Sequence, residues 1–108
     1  MVAITSWGRL SHEEHTVTAI VNREQAEIVL CQQNPGIAYG MGRSYGDACL
    51  NPGGRVWDTR SLDRFISLNE VTGQLVCEAG TLLRDIQKLV VPRGWMLPVT
   101  PGTQFVTV

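Results

Sequence analysis

Three glycines, an arginine, a serine and an aspartate crowd into nine residues, Tyr39 to Asp47, reading YGMGRSYGD. Gly40, Gly42 and Gly46 can take positive φ and let another group approach the main chain closely, so that successive N–H groups turn inward as an anion-binding concavity. Ser44 adds a hydroxyl donor, and Arg43 adds a charge able to meet an anion with paired hydrogen bonds. That combination suits a phosphate or pyrophosphate. Taken alone, the same residues also suit a plain connection between strands, with Arg43 in a surface salt bridge, because the G-x-G-x-x-x-G spacing is loose.

The rest of the chain sharpens this choice. A formal net charge of −1 and 18% charged residues give no broad basic field for nucleic acid or anionic membranes. An anion must therefore be held locally. A P-loop needs Gly-Lys-Ser/Thr, yet the only lysine, Lys88, lies far from the glycines. A doubly wound dinucleotide fold needs its glycines to open a helix, and DACLNPGG, with its turn formers, cannot be one. Cys31, Cys49 and Cys77 are too scattered for a disulfide framework or a zinc site and are expected reduced, with Cys31 and Cys77 in the core. His12 and His15, in SHEEH, are expected in a solvated segment rather than at a metal. With no apolar run of membrane-spanning length and no signal-peptide core, the expectation is a cytoplasmic protein without a membrane span.

The elements that must position the glycines follow from local patterns. TVTAIVNREQAEIVLC predicts an extended entry and then a helix, with Asn22 as N-cap, Gln25 completing a capping box, and Ala26, Val29 and Leu30 on one face. Pro35 and Gly36 stop it. Ile37 to Met41 and RVWDT predict strands on either side of the glycine segment. Ile66 to Leu68 and Gln74 to Glu78 predict a hairpin turning at Asn69 to Gly73. Thr81 is expected to cap a second helix that gathers Leu82, Leu83, Ile86, Leu89 and Val90 on one face, with Arg84, Asp85, Gln87 and Lys88 toward water, and ends at Pro92 and Gly94. The tail predicts an extended path with a turn at Thr100 to Thr103, then a strand-like Phe105 to Val108. Together these predict one α+β unit at residues 1–108. The run that stops in mid-strand suggests a truncated piece of a longer chain.

YGMGRSYGDACLN, EAGTLLRDI and GWMLPVTPGTQFVTV, in that order, resemble the FAD-binding region of vanillyl-alcohol-oxidase-type (PCMH-type) flavoproteins. SWGR with GRSYGD is most similar to the decaprenylphosphoryl-ribose oxidase branch, whose members oxidise a sugar hydroxyl. The resemblance implies the first subdomain of a two-part FAD-binding domain, with the second subdomain and a substrate domain lying outside this chain. It implies that FAD is held by Tyr39, Gly40, Met41, Gly42, Arg43, Ser44, Tyr45, Gly46 and Asp47, whose amides grip the pyrophosphate, and by Pro101, Gly102, Thr103 and Thr107. Tyr45 either lines the flavin side or packs under the loop. Tyr39 stands where close relatives carry arginine, so a direct contact with the cofactor departs from the pattern there. Arg43 stands where covalently flavinylated relatives carry histidine, which implies non-covalent FAD. The implied substrate is a small or lipid-linked sugar. A sugar-nucleotide reductase, a stand-alone phosphate-binding module and a purely structural domain remain alternatives, and no catalytic acid or base can be named.

Overall fold

The computed structural model describes residues 1–32 and 34–108. Its larger sheet contains β1 (Val2–Ala3), β2 (Glu14–Ala19), β3 (Ile37–Tyr39) and β4 (Arg55–Asp58) in the spatial order β1-β2-β4-β3. β1 and β2 are antiparallel, whereas β4 runs parallel to both of its neighbours. Val56 pairs with Val17 on one side and Ile37 on the other, and its side chain is completely buried. A β-branched residue in the central strand is where pleated packing stabilises most.

Adjacent parallel strands require a long crossover, usually a helix. Between β3 and β4 that crossover is instead the glycine loop, residues 40–54, as the turn-forming composition predicts. Loops of this length without regular structure are commonly binding loops. β3 itself ends at Tyr39, two residues earlier than the expected Met41, so Gly40 and Met41 belong to the loop.

Helix α1 (Arg23–Cys31) starts where expected: the Asn22 side chain accepts a hydrogen bond from the Gln25 amide at 2.8 Å. The return bond of the capping box is displaced by one residue, because Gln25 Oε1 accepts from the Val21 amide. Only Val29 of its expected apolar face is buried; Leu30 is exposed, and so is Cys31, contrary to its expected core position. Cys77 is only half-buried.

β5 (Phe65–Asn69) and β6 (Gln74–Cys77) form the expected hairpin as a separate two-stranded sheet. Asn69 closes β5, and its side chain accepts from the Val71 and Thr72 amides to form the turn. Helix α2 (Leu83–Val90) buries Ile86 and Val90 and continues as a short 3₁₀ turn to Arg93, ending on Gly94 in the left-handed region.

Thr81 does not cap α2. Its hydroxyl is buried without a hydrogen-bond partner, and the N-cap position falls on Leu82. The orphan amides of the first turn are satisfied by the tail: Leu83 N–H donates to the Val106 carbonyl and Arg84 N–H to the Gln104 carbonyl, each at 3.0 Å. The tail is thereby fixed in space, although of the expected strand Phe105 to Val108 only Thr107 makes a bridge, to Leu82.

His15 reverses another expectation. It lies on β2 with no solvent exposure, because both ring nitrogens find backbone partners inside the fold.

Candidate functional site

The glycine loop and the tail meet. A cavity of about 300 Å³ lies between them, lined on the loop side by Gly40, Met41, Gly42, Arg43 and Ser44 and on the tail side by Val106 and Thr107. A second cavity of about 440 Å³ continues past Arg43 and Ser44 to Tyr45 and to the turn residues Pro101, Gly102 and Thr103. Arg43, Ser44 and Val106 line both, so the two form neighbouring compartments of one groove.

Two glycines shape the first compartment. A β-carbon at Gly40 would collide with the Thr107 hydroxyl, so glycine here is what allows the tail to approach. Gly42 is buried at φ +67°, a region unfavourable to side chains, and a β-carbon there would lie 2.6 Å from the Tyr39 hydroxyl. Gly46, at φ +57°, has open space around it and serves backbone conformation alone.

The electrostatics suit an anion. No carboxylate lines either compartment, and among the described residues Arg43 makes no salt bridge. Cys49 also lines the first compartment, where burial pushes its thiol up from the ordinary value and Asp47 adds in the same direction. It therefore stays uncharged at neutral pH and adds no repulsion.

Tyr39 and Asp47 lie outside both compartments. The Tyr39 hydroxyl donates to the Thr5 carbonyl at 2.9 Å. Asp47 accepts from the Ser6 hydroxyl at 2.8 Å and the Ser11 hydroxyl at 3.2 Å. The Trp7 amide adds a bond to the Gly42 carbonyl, also at 2.8 Å. These four bonds lay the segment Thr5–Ser11 across the loop as a strap and carry the largely exposed Trp7 indole to the rim of the second compartment. Tyr45, at 98% exposure, packs under nothing; it projects at that same rim.

Sequence reasoning missed the strap's role. Its residues lie more than 30 positions from their partners on the loop, a separation that no local spacing can signal. Cys49 and Val106 were likewise missed as lining residues.

Comparison with known proteins agrees with this geometry. Residues 16–108 match the family model of the FAD binding domain. The chain is also 34% identical over 113 aligned positions to decaprenylphosphoryl-beta-D-ribose oxidase of Mycolicibacterium smegmatis, an alignment covering 97% of this chain and 24% of that protein. The chain thus spans about a quarter of that relative's length. Glycine loop, opposing tail and family match all coincide on one groove, and the chain belongs to the FAD-binding (PCMH-type) domain family of FAD-linked oxidases.

Proposed function

We propose that the groove holds FAD without a covalent link, as part of an oxidoreductase acting on a CH–OH group of a sugar or sugar-lipid. The observation that carries this reading is the juxtaposition of the glycine loop with the Pro101–Thr107 tail around an anion-ready cavity. Amides of residues 40–46 are the donors for the pyrophosphate, and Arg43 and Ser44 supply charge and a hydroxyl. Thr107 faces them across the first compartment, while Gly102 and Thr103 offer bare backbone and a hydroxyl to the more apolar part of the cofactor. When bound, the flavin supplies hydride acceptance, and the protein supplies position and electrostatics.

Non-covalent attachment is favoured by the lining: neither compartment contains a histidine, and Cys49 is held as a neutral thiol. The sugar or sugar-lipid substrate is carried over from the relative's name. Among the described residues no helix is long and apolar enough to cross a membrane.

The test is direct. The full-length protein should purify yellow, and acid precipitation should release the colour into the supernatant. A colourless protein that binds ADP or phosphate with no preference for flavin would replace this reading with a phosphate-ligand module; a yellow pellet would reject non-covalent attachment. Arg43→Ala, at an exposed position of the loop, should weaken flavin retention while leaving the circular dichroism spectrum of the fold in place.

A further inference from the structure

Among the described residues His15 is the one fully buried ionisable side chain, and the groove does not use it directly. Its Nδ1 lies 2.8 Å from the Glu13 carbonyl, which can only accept, so Nδ1 carries the proton. Its Nε2 accepts from the Asn51 amide at 2.9 Å, which can only donate. The ring is therefore fixed as a single neutral tautomer, bonded at both ends to main chain.

Asn51 is where the glycine loop is tied down before it enters β4. Its side chain donates to the Arg55 carbonyl and its carbonyl accepts from the Gly54 amide, while Gly53 and Gly54 bond to Glu14 and Thr16 of β2. Upstream, Leu50 N–H donates to the Asp47 carbonyl, carrying the constraint back toward Gly46. β3 holds the near end of the loop, and His15 holds the far end.

We infer that His15 is a positioning residue for the cofactor loop: its ring pins the Asn51 amide, and loss of that acceptor releases this end of the loop and weakens FAD retention. Without that acceptor the Asn51 N–H loses its partner, and among the described residues Asn51 keeps only its bonds to Gly54 and Arg55.

This inference rests on the proposed FAD site, and its test separates the two. Flavin retention by the full-length, FAD-loaded protein is measured at neutral pH alongside hydrogen exchange of the Asn51 amide, for the native protein, His15→Gln and His15→Leu. Glutamine keeps a donor and an acceptor, whereas leucine keeps neither. His15→Leu should exchange Asn51 faster and lose flavin retention by about tenfold, and His15→Gln should restore both toward the native values. Native-like exchange and retention in His15→Leu overturn the inference, as does weak retention in His15→Gln with native-like exchange at Asn51. If the native protein binds no flavin, the FAD reading fails and the exchange data alone decide the role of His15.

Discussion

Gly40 and Thr107 stand in direct opposition across the groove, with no room between them for even one β-carbon on the glycine. The contact joins the two halves of the candidate site, since Gly40 opens the loop and Thr107 is bridged to Leu82 at the start of α2. Gly40→Ala should therefore lower stability by about 1–3 kcal/mol through overpacking. Thr107→Ala removes the colliding atoms, so the double variant should recover much of that loss. A double-mutant cycle by denaturant unfolding checks this, with a coupling energy of about 0.5 kcal/mol or more expected. Additive effects would show that the contact yields without cost.

Gly42 and Gly46 separate backbone strain from steric collision. Both have positive φ, but only Gly42 has neighbours where a side chain would go. Gly46→Ala should cost about 1–2 kcal/mol, the ordinary penalty for a β-carbon in the left-handed region. Gly42→Ala should cost more, because it must also displace the Tyr39 hydroxyl and its bond to Thr5. Chemical denaturation of the two variants side by side gives the ranking, and equal losses would remove the steric argument.

Asp47 reads as a cofactor contact in the motif, but its two oxygens hold the strap. Asp47→Ala should free Thr5–Ser11 and leave two serine hydroxyls without their acceptor, at about 1–3 kcal/mol. Limited proteolysis should then cut at Trp7 to Leu10 faster than in the native protein. If Asp47→Ala leaves the cleavage pattern unchanged, the strap is held by its main-chain bonds alone.

What the sequence made legible was local. The glycine loop, the hairpin and the amphipathic face of α2 each carry their signal within a dozen residues, and each is present; of the expected tail turn there is a bend at Gly102. What it hid was long-range. His15 looks solvated in SHEEH because its partner Asn51 lies 36 positions away. Thr81 looks like an N-cap because serine or threonine before an apolar run usually is one, yet the carbonyls of Gln104 and Val106 take that role from across the fold. Cys31 looks like core by residue type, but it falls on the outer face of α1, where position on the helix overrides hydrophobicity. The same limit applies at the site: the nine-residue motif marked the groove, and only tertiary pairing distinguished Gly40 and Arg43, which line it, from Tyr39 and Asp47, which brace it.

Tyr39 gives the brace an alkaline signature. Burial raises its phenol above the ordinary value and the nearby Cys49 adds to this, while Arg60, 5.8 Å from the ring centroid, and Arg43 partly oppose it. A phenol whose folded value is raised contributes stability that is fully present below the unfolded value of about 10 and is lost as pH rises through the folded value. Above it the phenolate can no longer donate to the Thr5 carbonyl. Tyr45 is the only other tyrosine, so in Tyr45→Phe the phenolate absorbance reports Tyr39 alone. That absorbance should rise at higher pH in the folded protein than in the same protein in urea, together with a loss of stability that Tyr39→Phe, lacking the ionisable group, does not show. Coincident titrations in the folded and unfolded states would mean that the hydroxyl is solvated and that the strap is held elsewhere.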